Sequence, residues 1–321
     1  MDITPTSIQG FFTGFSVRFS ELYTRTAVFW QEIATLHPAS SEIEKIAWQG
    51  RIPTFREWIG PRIVHGVAAE GYTVTIPPRE LTVSIDKFKL QDDTYGVYST
   101  TAAQFGMQAK KLPDYLMVTA LKKGYSSTLG LCPDGLSFWN DSHPVDVYNS
   151  ALSTYDNNFP SRPLTPDNYF YVRSQMMSRI GQDGKPLNVV PDLMLVPPAL
   201  EGNAKQILQS DLIANAIING STQVGGQSNI WKNTARFMVL PELASSSEDE
   251  NTGDGDKTWY LFDSSKAVKP LLYVLRQAAI ITYRTAPTDP VVFDTHQFLY
   301  GGEERSNYAY ALPFLASRGV G

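Results

Sequence analysis

Cys132, Asp141, His143 and Asp146 form the one grouping in this 321-residue chain that could carry covalent chemistry. A thiol nucleophile, an imidazole base and a carboxylate to orient it are what nucleophilic catalysis requires. Against that, a lone cysteine is more often a small buried apolar residue, and Asn140-Asp141-Ser142-His143-Pro144 reads as a turn. The search for other chemistry comes back empty. There is no Gly-x-Ser-x-Gly elbow and no His-Glu-x-x-His helix, and Gly181-Gln182-Asp183-Gly184-Lys185-Pro186 lacks the spacing and the Ser/Thr of a phosphate loop. His37, His65, His143 and His296 stand too far apart for a helix-borne metal pair, and one cysteine excludes a disulfide framework or a multi-cysteine metal site. No catalytic residue, cofactor or metal ligand is assigned, and the chain reads as a non-enzyme.

Charge narrows the partners. The net charge of −5 is concentrated in Ser245–Asp256, which holds Glu248, Asp249, Glu250, Asp254 and Asp256; without them acids and bases balance. A balanced body is not that of a general nucleic-acid binder, whose affinity rests on clustered cations. The acidic stretch does not match the twelve-residue calcium loop and reads as a solvated surface loop. It is expected at the tip of an antiparallel hairpin formed by Arg236–Leu240 and Trp259–Phe262. The apolar runs Leu271–Leu275 and Ala278–Thr282 are too short to span a bilayer, and the N-terminus has no basic region followed by an apolar one. The chain therefore reads as a soluble intracellular product with no membrane partner.

The elements that would position any function can be read from period and punctuation. Tyr72–Ile76 and Leu81–Asp86 alternate apolar and polar residues, the period of half-buried strands, and Pro77-Pro78-Arg79-Glu80 supplies a turn between them. Asp92-Asp93 stands ready to cap a following helix. Tyr98, Ala102, Phe105, Ala109, Leu112 and Leu116 form one stripe of that helix, which Pro113 should kink or restart and Lys122-Lys123-Gly124 should close. A separate α/β unit follows. Thr165-Pro166-Asp167 begins a helix with Tyr169, Val172, Met176 and Ile180 on its buried face and Gly181 at its end. Asp192–Val196 is a buried strand closed by Pro197-Pro198, and Ala199–Leu212 a second helix. Arg236–Leu240, Trp259–Phe262, Leu271–Leu275 and Ile280–Arg284 supply four more strands.

The order of these parts resembles the major capsid proteins of tailed phages with the Hong Kong 97 fold, and more closely the major head subunits of Mu-like phages. The resemblance is carried by Gly50–Gly60, Tyr72–Asp93, Trp139–Pro144, Trp259–Pro270 and Gln297–Tyr310, with little in residues 1–49 or 201–257. It implies an α+β fold divided into an N-terminal arm (1–50), an extension loop (51–90), a peripheral domain with its spine helix (91–159), an axial domain (160–289) and strands returning to the peripheral domain (290–321). It also implies self-assembly into hexamers and pentamers of an icosahedral head in the virion. The partners it implies are the chain itself, a separate scaffolding protein, a portal and packaged double-stranded DNA contacted without sequence preference. Candidate assembly residues are Trp58, Tyr72, Val74, Ile76, Leu81, Val83 and Ile85 of the loop, and Glu303, Glu304 and Arg305 of the return strands.

Two features depart from some relatives of that fold. The matching region begins within about fifty residues of Met1, which favours a scaffold made as a separate chain. No lysine lies between Lys45 and Lys87, so the loop lacks the nucleophile for a lysine–asparagine cross-link. Two other readings stay open on the sequence: a tail or receptor-binding β-protein, and a hydrolase using Cys132 and His143.

Overall fold

The computed structural model describes residues 5–49, 69–92, 97–146, 153–181, 183–214, 217–218, 221–222, 226–244, 255–286 and 288–321. Helix α1 (Pro5–Arg25) carries Phe12, Phe15 and Phe19 at spacings of three and four, so its aromatic face is buried against the long helix. A one-turn helix α2 (Trp30–Ile33) leads into strand β1 (Ala34–Pro38). Strands β2 (Ile43–Gln49) and β3 (Ala69–Thr75) pair antiparallel, followed by β4 (Pro78–Asp86). Next come the short helix α3 (Lys87–Gln91) and the 27-residue helix α4 (Val97–Lys123).

The downstream part begins with the short strands β5 (His143–Pro144), β6 (Thr154–Tyr155) and β7 (Asn158–Phe159). Helix α5 (Pro166–Met177), strand β8 (Leu193–Val196) and helix α6 (Glu201–Leu208) follow. Strands β9 (Leu212–Ala214), β10 (Ile217–Ile218), β11 (Ser221–Thr222) and β12 (Gly226–Ser228) pair as two nested antiparallel ladders. The chain ends with β13 (Arg236–Val239), β14 (Thr258–Phe262), β15 (Leu271–Arg284), α7 (Pro290–Thr295), β16 (Gln297–Tyr310) and β17 (Ala316–Val320).

Two sheets organise these elements. One runs β1-β15-β16-β4, with β1 parallel to β15 and the other neighbours antiparallel. The other runs β13-β8-β14-β17-β7. In the second, Leu193 and Leu195 of β8 and Tyr260 and Phe262 of β14 enter one core, while Met194, Val196, Trp259 and Leu261 enter another. Burial on both faces explains why these strands read as continuous apolar runs. The first of those cores also takes Leu116, Met117 and Leu121 of α4 and Leu271 and Tyr273 of β15, so the C-terminal half of α4 lies between the two sheets.

Several expectations change. Tyr72–Ile76 and Leu81–Asp86 are strands, but not a pair: β3 takes Ile43–Gln49 as its partner and β4 takes β16. Pro78 is the first residue of β4 rather than a turn residue, and an edge strand tolerates its missing N–H. β13 and β14 are likewise not a hairpin, because β8 lies between them, parallel to one and antiparallel to the other. The two strands read at 271–275 and 280–284 are one strand, β15, with register shifts at Leu275/Gln277 and Gln277/Ile280. Each shift places an extra residue on β15, which bends it. Asp86 caps the short helix α3, its side chain accepting from the N–H groups of Phe88 and Lys89, and Asp92 sits at the far end of that helix; Asp93 and the residues up to 96, on which the expected cap of α4 falls, lie outside the described residues. α4 stays helical through Pro113 with no restart, and the helix expected at 199–212 stops at Leu208. The sheets also cross the boundary drawn at residue 289: β15 lies with β16, and β17 lies with β8 and β14. Residues 245–254 of the acidic stretch fall outside the described residues.

Candidate assembly surface

The base of the β2–β3 hairpin is bolted to the body. Ile46, Val74 and Ile76 pack with Leu272, Val274, Ala309 and Ala311. The Tyr72 hydroxyl donates to the Tyr310 carbonyl at 2.7 Å and accepts the Tyr310 N–H at 2.6 Å, while the Tyr310 hydroxyl donates to the Ala120 carbonyl of α4 at 2.9 Å. Burial pushes the Tyr72 phenol far above its ordinary value, so it stays a neutral donor. Three of the candidate residues, Tyr72, Val74 and Ile76, therefore make contacts within their own chain. The hairpin's connection, which contains Trp58, lies outside the described residues.

On β4, Leu81, Val83 and Ile85 share one face, and their burial rises along it. Ile85 is in the core with Phe12 and Phe298, Val83 is half-buried, and Leu81 is 43 % exposed. Leu81 borders a groove of about 210 Å³ between α1, α4 and the β15–β16–β4 ribbon, walled by Phe19, Phe105 and Leu112. The groove persists because residue 302 is glycine: a Cβ there would stand 2.9 Å from the Phe105 ring.

Its polar lining is acidic. Glu303 is exposed and lies directly opposite Glu80 across β16 and β4. Glu304 is 5 % exposed, and its Oε1 accepts from Tyr273 and Ser306 hydroxyls at 2.5 Å each. Burial first, and the charge of Glu304 second, push the Tyr273 phenol up. Arg79, also in the lining, is turned to the Ser306 carbonyl and Asn307. Among the described residues none of the three glutamates has an ion pair with Lys or Arg. Arg305 is half-buried, with its Nε unpaired.

The Cys132 grouping does not assemble. Cys132 is 2 % exposed in the main core, and burial holds its thiol well above the usual range, away from the reactive thiolate. His143 is fully buried, with Nδ1 2.7 Å from Asp134 and Nε2 3.1 Å from the Phe138 carbonyl, so neither nitrogen is left for a thiol. The carboxylate partner is Asp134, not Asp141 or Asp146. Asp134 also accepts the Leu136 N–H at 3.1 Å, which makes the pair a brace for the 132–146 segment. At the Gly181–Pro186 sequence, Ile180 forms an antiparallel bridge with Pro186 and the Gly181 N–H donates to the Lys185 carbonyl.

Comparison with known proteins gives a concordant result. The chain matches the family described as Mu-like prophage major head subunit gpT over residues 8–162, 160–243 and 240–319, which includes the 201–257 stretch and most of 1–49. The Mu-like prophage FluMu major head subunit of Haemophilus influenzae is 23% identical over 310 residues, 96% of this chain and 71% of that one. The major capsid protein of Escherichia phage Mu is 30% identical over 158 residues, 48% of this chain and 51% of that one. Among solved structures, the procapsid of bacteriophage JBD30 superposes with a TM-score of 0.57 at 22% identity, covering 99% of this chain and 76% of that one.

Proposed function

Because this chain belongs to the Mu-like prophage major head subunit family, we propose that it builds its shell as hexamers and pentamers around packaged double-stranded DNA. The chain has the α+β Hong Kong 97-type fold and is a major capsid protein of a Mu-like phage head, a component of the virion. The family is structural, and no described helix is long and apolar enough to cross a membrane. In this reading the β2–β3 hairpin and its connection are the extension loop that lies across an adjacent subunit. The β15–β16–β4 sheet with α1 and α4 is the peripheral body, and the five-stranded sheet with α5 and α6 is the axial body. A separate scaffolding protein sets shell size, a portal occupies one vertex, and DNA is held without sequence preference.

The observation that carries this reading is the hairpin. Its base is fixed to the body by Tyr72 and Val74, and its two strands are joined by a connection of about twenty residues. Electron microscopy of the purified protein in negative stain tests it. Closed shells are expected, made with or without a co-expressed scaffold; rings or trimers alone would favour a tail protein instead.

A further inference from the structure

We propose that His143 is held as an imidazolium between Asp134 and the Phe138 carbonyl, and that its proton latches the end of α4 to the five-stranded sheet. Withdrawing that proton at alkaline pH releases the joint.

The ring is fully buried, and both of its nitrogens meet oxygens that accept. Nδ1 is 2.7 Å from Asp134 Oδ2, and Nε2 is 3.1 Å from the Phe138 carbonyl. A neutral imidazole has one N–H and one lone pair. One tautomer sets its lone pair against a carboxylate and the other sets it against a carbonyl, so neither fits. With both protons the ring satisfies both acceptors, and Asp134 supplies the counter-charge that a buried cation needs. The other titratable and charged groups around the ring do not take that place. Cys132, on the same segment, is a buried thiol. The Tyr155 ring of β6 stacks on the imidazole at 5.3 Å. The Arg179 guanidinium lies 5.1 Å from that tyrosine ring and donates to the Asp156, Phe314 and Ala316 carbonyls. Asp156, within reach of the charges of Arg179 and Asp141, completes the set.

What the ring holds is a joint. The Phe138 carbonyl also accepts from the Asn157 side-chain amide at 2.7 Å, and that amide donates to the Pro313 carbonyl at 3.2 Å. The Asn157 carbonyl accepts the Arg318 N–H, which fixes it beside β7 and β17. The next residue along, Trp139, is tied to the long helix instead. Its backbone N–H donates to the Gly124 carbonyl and its indole N–H to that of Leu121, both at 2.8 Å. Phe138 and Trp139 therefore bridge α4 to the sheet, and the His143–Asp134 pair closes the segment that presents them. Because the closed segment binds this proton and the opened one releases it, the latch holds near neutral pH and fails as pH rises.

The test uses the full-length chain and Asp134→Asn. In that variant the side-chain amide donates to Nδ1, so a neutral ring with its proton on Nε2 fits and the latch no longer needs a second one. With the histidine ring nitrogens isotopically labelled, the resonance that responds to Asp134→Asn should show a proton on each nitrogen in the wild type and on one in the variant, at about pH 7.5, above the ordinary imidazole value. A wild-type ring with one bare nitrogen at that pH overturns the imidazolium. Cys132, the chain's single cysteine and buried in the same segment, reports the opening. A thiol-specific reagent should modify wild type and Asp134→Asn at similar rates near neutral pH, and the wild type about tenfold faster by about pH 9, as local opening exposes the thiol. Taking the ratio of the two chains cancels the rise in thiol reactivity with pH. A ratio that stays constant across that range overturns the latch.

Discussion

At the scale of single residues, the tightest constraints are places where an added atom has nowhere to go. Gly106 of α4 lies against the backbone of α1: a Cβ there would stand 2.5 Å from the Phe19 carbonyl oxygen. Gly106→Val should force the helices apart and destabilise the chain by about 1–3 kcal/mol, the usual range for overpacking. A lowered melting temperature would register it, and an unchanged one would mean that α1 is not held there. Asp114 is the opposite case, a buried acceptor that cannot be spared. It accepts the N–H groups of Phe29 at 3.0 Å and Trp30 at 2.9 Å, tying α4 to α2. Asp114→Ala leaves the buried Phe29 N–H unpaired at about 1–3 kcal/mol, and the part-buried Trp30 N–H with it. Burial raises the Asp114 carboxyl above the ordinary carboxylate range, with the charge of Glu242 adding to it. The folded chain therefore binds this proton more readily than the unfolded one. The associated stability is present below the ordinary value and is lost as pH rises through the raised one. Asp114→Asn keeps the acceptor without the charge, so its urea midpoint should lack that decline across the acidic range. A wild-type midpoint that does not fall there would refute the assignment.

At the scale of elements, local chemistry was legible and pairing was not. Thr165-Pro166-Asp167 reads as a helix start, and the Thr165 side chain does accept the Asn168 N–H. The alternation in Tyr72–Ile76 and Leu81–Asp86 reads as two strands, and they are. Adjacency suggested that each was the other's partner, whereas β3 pairs with a strand 20 to 32 residues upstream and β4 with one 211 to 227 residues downstream. Nothing in β4 announces β16. Phe12, Phe15 and Phe19 carry the helical period that marks α1 in residues 1–49. The groove was legible only as separate residues: Leu81, Glu303 and Glu304 could be named, but Phe105 and Gly302 join them only once α4 lies on the ribbon. The same limit holds at Gly319, whose Cβ would meet the Trp259 ring at 2.3 Å across the β17–β14 ladder. Trp259 is fully buried, with its indole N–H donated to the Arg162 carbonyl at 2.9 Å. Gly319→Ala should push β17 off β14, shift Trp fluorescence toward the red and expose the β14 edge to aggregation. An unshifted spectrum and a soluble product would show that β17 is not fixed by this contact.

At the scale of the whole molecule, assembly and folding should be separable at the hairpin. Replacing residues 50–68 with a short Gly-Ser turn removes only the connection and leaves the β2–β3 ladder and its packing on Leu272 and Val274 in place. The product should melt like the parent but form no shells. Shells of normal yield would remove the connection from the interface. A second expectation concerns covalent bonds. With no lysine from residue 46 to 86, denatured particles should run as one band at 35.7 kDa, and a ladder without engineered thiols would refute it. Extensive non-covalent burial suffices for permanence, since obligate interfaces bury about 2,000–5,000 Å².

The register of the two sheets also dictates when this polypeptide can acquire its shape. β1 waits for Leu271–Leu275, β4 for Gln297–Arg305, and β7 for Arg318 and Gly319. The Tyr72 hydroxyl waits for a carbonyl 238 residues downstream. A ribosome that has not passed residue 297 holds a nascent chain with open strand edges and neither of the two main sheets complete. Pairing at such separations pays a large loop-closure entropy before it is rewarded, so folding is slow and follows synthesis. During that interval the unpaired edges invite aggregation, which is the situation that chaperones exist to manage. The demand on the host's chaperones should therefore scale with the rate of translation of this chain, and a subunit still on its polysome has no completed surface with which to nucleate a head.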